Sequence, residues 1–481
     1  MMKKVTFFIT TALLLQIVAV GVCAARPTEV SGRVYCAAEG GVQGVVVTDG
    51  YNFATTDADG TYRLLLDGRA GQVYISTPAG YRTACEGSRP QFFVAVDEQR
   101  AEGYDFELWR NPKDNGHHTA LVTADVQMTS LDDVRSYGVV LDDMVQLAAQ
   151  AEGDVFSLDC GDIVGDSPWL YEPYLKVADK GAIPTFRAIG NHDMNYYGDC
   201  HESSYVTFER TFSPARYSFN KQGAHYVVLN NNFFLGRDYF YIGYYDQATI
   251  DWLRGDLAFV PKGTLLFIVQ HIPLRMTAEQ KPFEYTYGYL ADQTTNASAL
   301  LRLVEGYDTH ILSGHMHFNL NIEHKEGPME HNTGAVCGTW WKGEICLDGT
   351  PRGYGVYEVR DGRVEWYYKS SGFPCEHQLR AYKAGWHKEE PQAVVANVWN
   401  WDSRWTVEMW EDGVKTATME RFTGHDKAAY ELCSDKKKVV YEWIAPVPTS
   451  HLFKAVPTRA DADIEIRVTD RFGNTYTARP E

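Results

Sequence analysis

The residues best suited to chemistry are Gly190, Asn191, His192 and Asp193, which directly follow the apolar run of residues 183–189. The apolar run predicts a buried strand, and the polar, tyrosine-rich segment after the four residues predicts a loop. An amide, an imidazole and a carboxylate at a strand end are poor components of a hydrophobic core. They suit a metal site that also needs a proton donor. The sequence therefore predicts such a site here if further ligands follow other strands.

Four other apolar runs also end directly before residues that can bind a metal ion. Residues 119–124 precede Asp125 and Gln127, and residues 155–160 precede Asp162. Residues 265–270 precede His271, and residues 310–313 precede His315 and His317. Helical patterns lie between the runs, at residues 139–151 and 247–257. Strands that alternate with helices and carry polar residues at their carboxyl ends predict a layered α/β sheet with its site on that edge.

Five blocks in this order resemble the calcineurin-like metallophosphoesterase family, and the resemblance covers most of residues 117–372. It implies a central four-layer α/β sandwich that hydrolyses phosphoric esters with two divalent metal ions. A hydroxide that bridges the ions would be the nucleophile. The implied ligands are Asp125, Gln127, Asp162 and His317 for one ion, and Asp162, Asn191, His271 and His315 for the other, with Asp162 as the bridge.

The first block departs from the family pattern, because Gln127 stands where the pattern Asp-x-His has a histidine. This departure resembles a subgroup that includes manganese-dependent enzymes cleaving nucleotide diphosphate linkages. The implied ligand atoms are all oxygen or nitrogen, so manganese, iron and zinc are compatible. The neutral amide oxygen of Gln127 favours manganese among them.

The resemblance also assigns roles around the ligands. Asn191 and His192 would face the substrate, where His192 would stabilise the phosphoryl charge or protonate the leaving oxygen. Asp193 would hold the His192 imidazole, with a capping or loop carboxylate as the alternative. Asp166 matches no implied ligand and is interpreted as a supporting or turn residue. Gly190 and Gly314 would let the backbone turn sharply and bring the ligands inward.

Three residues after the last ligand block are candidates for substrate contact. Trp340 and Trp341 follow an apolar run and are interpreted as an aromatic wall for the leaving group, or as ordinary buried aromatic residues. Asn319 lies just past the final histidine pair and would contact substrate or close a turn. These residues would complete the substrate side of the predicted site.

Different patterns flank the central segment. Residues 27–110 contain alternating runs and turn signals, which resemble a transthyretin-like or carboxypeptidase-regulatory-like β-sandwich. Asp57 and Asp59 favour a turn over a calcium site, because few other oxygen ligands are near. Residues 373–481 alternate again and predict a second β-sandwich, whose aromatic residues are interpreted as strand core rather than a glycan-binding face. This layout resembles exported bacterial calcineurin-like proteins with β domains on both sides.

Residues 1–25 predict a secretory signal peptide, because a basic start precedes an apolar stretch and the small residues Ala24 and Ala25. An uncleaved membrane anchor is the alternative. No later stretch is apolar enough to span a membrane, so the mature chain is expected to lack a transmembrane segment. The expected location is the periplasm or the cell surface.

Composition narrows the functional classes further. The formal net charge of -18 and the pI near 5.3 argue against a nucleic-acid-binding surface. An exported chain permits disulfides, and Cys36 with Cys85 or Cys337 with Cys346 are candidate pairs. Buried free thiols are equally compatible with these positions.

The favoured function is an exported phosphoesterase that acts on a phosphorylated small molecule or an envelope phosphodiester, with a phosphodiester or pyrophosphate linkage preferred. One alternative is a phosphomonoesterase of broad specificity. Another is an inactive carbohydrate-binding or surface-binding protein. Gln127 alone favours the inactive alternative, whereas His192 and the seven implied ligands favour the enzyme.

Overall fold

The computed structural model describes residues 26–481 apart from positions 239, 280, 283, 285, 388, 389 and 440. The predicted signal peptide therefore lies outside the described residues. Among the described residues, none of the helices combines the length and the apolar composition that crossing a membrane requires.

The N-terminal region consists of short β-strands around a buried apolar core that includes Val34, Val47 and Leu108. The strands are β1 Glu29–Cys36, β2 Gly40–Gly41, β3 Val46–Thr48, β4 Phe53–Thr55, β5 Thr61–Leu65, β6 Gln72–Ile75, β7 Tyr81–Arg82, β8 Cys85–Glu86, β9 Arg89–Pro90, β10 Phe93–Ala95 and β11 Phe106–Arg110. One sheet has the order β2-β1-β11-β7 with β5 also paired to β1, and the other has the order β10-β6-β3-β4. The Asp57 carboxylate accepts the N–H groups of Asp59 and Thr61, as the turn interpretation predicted.

The central region contains two larger sheets with helices outside them. Its strands are β12 His117–Thr123, β13 Asp154–Asp159, β14 Thr185–Arg187, β15 Tyr217–Lys221, β16 Ala224–Val228, β17 Asn232–Gly236, β18 Phe240–Gly243, β19 Leu265–Val269, β20 Asp308–Ser313, β21 Leu320–Glu323, β22 Met329–Asn332, β23 Gly353–Arg360 and β24 Arg363–Ser370. Its α-helices are α1 Leu131–Ala148, α2 Tyr171–Gly181, α3 His201–Ser204, α4 Val206–Thr211, α5 Gln247–Leu257, α6 Tyr287–Ala291 and α7 Ala297–Leu303. Two 3₁₀ helices span Pro168–Leu170 and Asn191–Asp193.

The two central sheets stack face to face. Their strand orders are β14-β13-β12-β23-β24 and β15-β16-β19-β20-β22-β21, while β17 and β18 form a separate hairpin. Aromatic rings fill the space between the sheets, including Phe156 on one and Phe219 and Tyr226 on the other. Helices α1 and α2 pack outside the first sheet, and α5 and α7 outside the second. The predicted four-layer α/β sandwich is therefore confirmed. The strands that precede the predicted ligands are divided between the two sheets, with β12, β13 and β14 in one and β19 and β20 in the other.

The strands that lead to the predicted ligands are the ones the sequence marks most clearly. β12 pairs in parallel with β13, and β19 pairs in parallel with β20. All five residues of β19 are buried. A parallel strand that is covered on both faces must be apolar throughout, so it appears in the sequence as an unbroken hydrophobic run.

The C-terminal region forms two further sheets, with orders β25-β26-β30-β29 and β28-β27-β31-β32. The strands are β25 Arg380–Tyr382, β26 Val394–Asn397, β27 Thr406–Glu411, β28 Val414–Thr418, β29 Glu420–Gly424, β30 Thr449–Ala455, β31 Ile464–Thr469 and β32 Thr475–Ala478. The predicted all-β regions on both sides of the α/β core are thus present. The C-terminal one also carries a helix that the sequence pattern did not indicate, α8 Lys427–Ser434, whose N-cap Asp426 accepts the N–H of Ala429.

The cysteines are free thiols throughout the described part of the chain. Cys337 and Cys346 are buried in one small apolar cluster with Ala335. Cys36 is buried, whereas Cys85 is exposed. Of the two alternatives for these residues, the structure has the unpaired one.

A buried histidine pair, His310 on β20 and His331 on β22, lies near the C-terminal region. The two rings stack with centroids 5.2 Å apart. His331 Nδ1 donates to Asn321 Oδ1 at 2.9 Å, so its Nε2 accepts the proton of His310 Nδ1, also at 2.9 Å. This chain of hydrogen bonds requires the His331 ring to be neutral.

The pair is expected to make the protein acid-sensitive. Burial lowers the pKa of His310 to about 3 and holds the pKa of His331 well below its ordinary value. Below about pH 6.5 the unfolded chain binds protons that the native pair rejects, so the free energy of unfolding falls as pH falls. Between pH 6.5 and pH 5.0 the two histidines together are expected to lower the free energy of unfolding by about 3 kcal/mol.

Denaturant unfolding of chelator-treated protein at these two pH values measures the effect. The variant His310→Phe is expected to lose about half of this pH dependence. The exposed His425 supplies the control, because His425→Gln should leave the dependence unchanged. Equal acid sensitivity of wild type and His310→Phe would contradict the prediction.

Candidate metal centre

Four of the predicted ligands converge where the central strands end. Asp162, His271 and His315 offer ligand atoms that all lie within 4.8 Å of one another. His271 Nε2 lies 2.9 Å from Asn191 Oδ1 and 3.2 Å from His315 Nδ1. These four residues are the ones that the family resemblance assigns to one of the two ions.

The other predicted ligands lie beside Asp162. His317 Nε2 is 3.5 Å from Asp125 Oδ1, and Gln127 Nε2 is 3.4 Å from Asp162 Oδ2. Gln127 Oε1 is buried and has no hydrogen-bond partner among the described residues. A buried carbonyl oxygen without a partner is unfavourable, and a bound cation would remove that penalty. Gln127 therefore fits the role of an oxygen ligand.

The surroundings of His271 test whether a cation fits the centre. His271 Nδ1 donates to the carbonyl oxygen of Cys160 at 2.9 Å, so Nε2 of the neutral ring carries a lone pair. This lone pair faces Asn191 Oδ1 and, at 3.3 Å, Asp162 Oδ2, which are also acceptors. Three acceptors directed at one another require either a proton on Nε2 or a metal ion. The set of carboxylate, amide and imidazole ligands fits a divalent ion.

The pKa values of the ligand residues also show that positive charge is favourable at this centre. Burial raises the pKa of Asp125 to about 8. Burial opposes the charged form of His271, but Asp162 overcomes it and raises the pKa of His271 to about 9. A proton thus occupies positions where a cation would be favourable, and metal binding at this centre should release protons.

The backbone at the ligands is strained. Five of the seven predicted ligands have left-handed φ values, which non-glycine residues seldom adopt: Asp125 at 53°, Gln127 at 41°, Asp162 at 56°, His315 at 73° and His317 at 55°. Such strain persists only where the surrounding structure enforces it, and it clusters at functional sites. The strain therefore marks this edge of the sheets independently of any family resemblance.

Gly190 and Gly314 serve close approach rather than the sharp turn that the sequence suggested. Neither has a positive φ. A Cβ atom at Gly190 would lie 2.1 Å from Asp162 Oδ1, and one at Gly314 would lie 2.7 Å from Asp125 Oδ2. The two glycines leave the space that the two carboxylates occupy.

The carboxylate that holds His192 is Asp166, which corrects the assignment of this role to Asp193. His192 Nδ1 lies 2.9 Å from Asp166 Oδ1. The Asp193 carboxylate instead accepts the N–H groups of Gly190, at 3.0 Å, and Ile163, at 3.2 Å, together with the hydroxyl of Tyr171. Asp193 therefore fixes the ligand loops, as in the alternative interpretation. It was mistaken for the orienting group because it is the sequence neighbour of His192.

Asp166→Asn is expected to slow turnover about tenfold without loss of metal. Burial opposes the charged imidazole, but Asp162 and then Asp166 raise the pKa of His192 to about 9. If protonated His192 is the active form, removing the Asp166 charge lowers that pKa and moves the basic limb of the kcat profile to lower pH. Asparagine tolerates the left-handed backbone at this position, where φ is 56°.

The measurement is kcat against pH together with metal content. Asp193→Asn is the matched control, since it removes a carboxylate that is adjacent to His192 in the sequence but does not contact the imidazole. It should reduce thermal stability and leave the basic limb in place. A shifted limb in Asp193→Asn but not in Asp166→Asn would reverse the two roles.

The three candidates for substrate contact have different surroundings. The Trp340 ring stacks on the His317 ring, with centroids 4.3 Å apart and planes 21° apart. Trp341 packs in the apolar core and donates its indole N–H to the carbonyl oxygen of Val126 at 2.9 Å. Asn319 is buried, and its Oδ1 accepts the N–H of Gly334 at 2.7 Å. Trp340 thus flanks the centre, while Trp341 and Asn319 support neighbouring loops.

Tyrosines that the sequence analysis did not single out lie at the other end of the ligand set. The Tyr196 side chain hydrogen-bonds that of Asn191. The Tyr241 ring lies 6.0 Å from the His315 ring, and the half-exposed Tyr287 contacts Tyr241. The tyrosine-rich loop after Asp193 was the one signal for Tyr196. Tyr241 and Tyr287 lie far along the chain and have no spacing that connects them to the ligands.

Comparison with known proteins gives matches along nearly the whole described chain. Residues 28–111 match the family model of the N terminal of calcineurin-like phosphoesterase, residues 118–319 that of calcineurin-like phosphoesterase, and residues 330–476 that of the C terminal of calcineurin-like phosphoesterase. Among curated protein sequences, none matches.

Solved structures with a similar fold include a dimetal phosphatase from Danio rerio, at 14% identity and a TM-score of 0.38, covering 53% of this chain and 96% of that one. A purple acid phosphatase from yellow lupin seeds has 12% identity and a TM-score of 0.39, covering 68% and 67% of the two chains. A 5′-nucleotidase described as putative, from Staphylococcus aureus, has 15% identity and a TM-score of 0.33, covering 53% of each chain.

Proposed function

The chain belongs to the calcineurin-like phosphoesterase family and is a metal-dependent hydrolase of phosphoric esters, and we propose that it cleaves phosphodiester or pyrophosphate linkages outside the cytoplasm. The family is one of dinuclear metal enzymes. In this chain the residues that would hold the ions are Asp125, Gln127, Asp162, Asn191, His271, His315 and His317. When bound, two divalent ions supply positive charge at the phosphoryl group and activate the attacking water.

The side chains of the centre set its charge and its proton supply. Asp125 and Asp162 contribute two negative charges against the four positive charges of two divalent ions, which leaves a site that attracts an anionic ester. The His192 side chain is one-third exposed and bound to Asp166, so its other ring nitrogen is available for the leaving oxygen. His192 is proposed to give that oxygen a proton as the ester bond breaks.

The observation that carries the preference for a diester is that aromatic rings border the ligand set at both ends. Trp340 stacks on His317, and Tyr241 lies beside His315. A phosphomonoester has one organic group attached to phosphorus, whereas a diester or a substituted pyrophosphate extends on both sides of the reacting phosphorus. Aromatic rings at both ends therefore suit the second kind of substrate.

Manganese is the proposed metal, and the reason lies in Gln127. Its unpartnered Oε1 supplies a neutral oxygen where the family pattern has imidazole nitrogen. Oxygen ligands favour manganese relative to zinc. Reconstitution of stripped protein with each metal alone tests this choice. Full activity with zinc and none with manganese would overturn it.

The preference is tested with two chromogenic esters that release the same leaving group. Bis(p-nitrophenyl) phosphate and p-nitrophenyl phosphate both release p-nitrophenolate, so leaving-group chemistry does not separate them. The expected kcat/KM is at least about tenfold higher for the diester, since only the diester has groups for both aromatic ends. Glycerol phosphate should be a poor substrate. A preference for the two monoesters would replace the proposal with a broad phosphomonoesterase.

The proposed location rests on residues 1–25, whose basic start and apolar stretch are typical of a secretory signal. Expression of the full chain in a bacterial host with an outer membrane, followed by cell fractionation, tests it. The mature chain is expected in the periplasmic or surface fraction, with a mass that begins near residue 26. A full-length chain confined to the cytoplasm would overturn the location and leave the proposed chemistry untouched.

A further inference from the structure

The C-terminal region reaches the edge of the metal centre through Trp443. The Trp443 ring meets the Trp340 ring edge to face, with centroids 4.7 Å apart. Trp340 in turn stacks on His317, so Trp443 lies two ring contacts from a predicted metal ligand. Tyr441 adds a third ring, 5.6 Å from Trp443 and tilted by 30°. Trp340, Tyr441 and Trp443 are called the aromatic platform below.

The outer part of the platform is exposed to solvent. Trp443 is 63% exposed and Tyr441 is 45% exposed. Large aromatic rings are usually buried or placed at interfaces, since their exposed apolar faces are unfavourable in water. Two such rings lie side by side, and one of them, Trp443, contacts Trp340 at the metal centre, which indicates a surface that a ligand covers.

The position of the aromatic platform is fixed by packing, because α8 holds the loop that carries Trp340. A Cβ atom at Gly343 would lie 2.3 Å from Leu432 Cδ2, so helix and loop are in close contact. Trp340 packs at the edge of an apolar cluster that includes Cys433 and Ile444 from the C-terminal region. Trp340 also has a left-handed φ of 45°, which is strained for a bulky residue. The packing of the C-terminal region therefore holds Trp340 in a conformation that it would otherwise seldom adopt.

A buried polar network fixes the C-terminal region to the same edge. His451 on β30 lies 3.0 Å from Asp348 Oδ2, which also accepts the N–H of Asn319 at 3.0 Å. Asn319 is two residues from the ligand His317. Asn397 on β26 donates to the carbonyl oxygen of Asp348 at 2.8 Å. These bonds give the platform a defined position relative to the ligands.

We propose that the aromatic platform is a substrate subsite that binds a ring with an apolar face, a nucleobase or a sugar, carried by one arm of the phosphoester. The inference rests on the proposed function, since it concerns the substrate of the same centre. Stacking suits both kinds of ring, because each presents a flat apolar face to an indole. The C-terminal region would thus take part in substrate selection as well as in folding.

The test compares two diesters that differ only in the group that is not released. Phenyl p-nitrophenyl phosphate carries a ring there, and methyl p-nitrophenyl phosphate does not. Wild-type enzyme loaded with manganese is expected to prefer the phenyl ester about tenfold in kcat/KM, mainly through KM. Trp443→Ala should lose most of this preference, and Trp443→Phe should keep much of it.

Tyr430→Ala is the matched control. Tyr430 is 51% exposed on α8 of the same region, and no ring contact joins it to the platform among the described residues. It should retain the wild-type preference and the wild-type metal content. Trp443→Ala should also retain the metal content, because Trp443 does not contact a predicted ligand directly.

Competitive inhibition distinguishes the two sources of the ring. Weaker inhibition of Trp443→Ala by thymidine monophosphate, with inhibition by 2-deoxyribose 5-phosphate unchanged, supports a nucleobase, and weaker inhibition by glucose 6-phosphate supports a sugar. An unchanged phenyl preference with unchanged inhibition by both would overturn the platform while leaving the proposed function in place. Hydrolysis of neither diester by wild type under any metal loading would instead be a failure of the proposed function.

Discussion

Replacing Asp162 by asparagine is expected to remove both metal ions and to reduce turnover by at least about a thousandfold. Asp162 lies between the two predicted ligand groups, with its Oδ2 3.3 Å from His271 Nε2 and 3.4 Å from Gln127 Nε2. An amide has one oxygen that can bind a cation and carries no charge, so it cannot bridge two ions. With Asp162 neutral, Asp125 is the one carboxylate left in the ligand set.

The fold should survive this substitution. Asparagine has nearly the shape of aspartate. In the wild-type chain the His192 N–H donates to Asp162 Oδ1 at 2.8 Å, and the asparagine oxygen can still accept this hydrogen bond. Elemental analysis of metal-loaded protein, thermal unfolding and turnover of bis(p-nitrophenyl) phosphate together measure the effect. The expected result is close to two ions per chain in wild type and fewer than one in Asp162→Asn, with unfolding still cooperative.

A buried aspartate elsewhere provides the control for this experiment. Asp256 also pairs with a histidine, His225 at 2.8 Å, and accepts the hydroxyl of Ser218. Asp256→Asn should lower stability but keep two ions and normal turnover per folded chain. If Asp162→Asn kept both ions and full activity, the bridging role would be wrong.

The parts of the fold that the sequence predicted well are the buried parallel strands. β19 and the strands beside it are covered on both faces, so they must be apolar, and the change to polar residues marks where each one ends. The predicted ligands stand directly after those ends. Strand position and chemical type were therefore both available in the sequence, and the resemblance to a known family supplied the assignment of individual ligands.

Contacts between distant segments were not available in the same way. Asp166 and His192 meet because β13 and β14 lie side by side, and their separation of 26 residues has no periodicity that would reveal it. Asp193 is adjacent to His192 in sequence, but its carboxylate points to backbone N–H groups. Sequence proximity was thus a poor guide to which carboxylate holds the imidazole.

The platform illustrates the same limit on a larger scale. Trp443 lies more than a hundred residues beyond His317, in a region whose alternating pattern indicated strands alone. Helix α8 and the segment after it bring Trp443 to Trp340, and only the packed structure reveals this contact. Tertiary packing decides such contacts, whereas local sequence pattern decides the strands that carry the ligands.

Replacing His192 by alanine is also expected to have a large effect on turnover. Unlike Asp162→Asn, this substitution should leave the bound metal in place. The His192 imidazole bonds to Asp166 and is not among the clustered ligand atoms. Its backbone N–H, which bonds to Asp162, remains in the alanine variant. Metal content should therefore stay at the wild-type value, while kcat falls about a hundredfold to ten-thousandfold if His192 is the proton donor.

The leaving group determines how large this fall should be. p-Nitrophenolate leaves readily without a proton, so a diester that releases it should be affected least. A diester that releases phenolate or an alkoxide depends on the proton and should be affected most. The dependence of kcat on the basicity of the leaving group is therefore expected to be steeper in His192→Ala than in wild type.

Three possible outcomes of these measurements distinguish the roles open to His192. A steeper dependence with full metal content identifies it as the proton donor to the leaving oxygen. An equal loss for every leaving group would indicate that it stabilises charge on the phosphoryl oxygens instead. Loss of metal in His192→Ala would contradict both roles and make His192 part of the ligand set. The expected outcome is the first, because Asp166 holds the ring and raises its basicity, and its remaining nitrogen is free to reach the substrate.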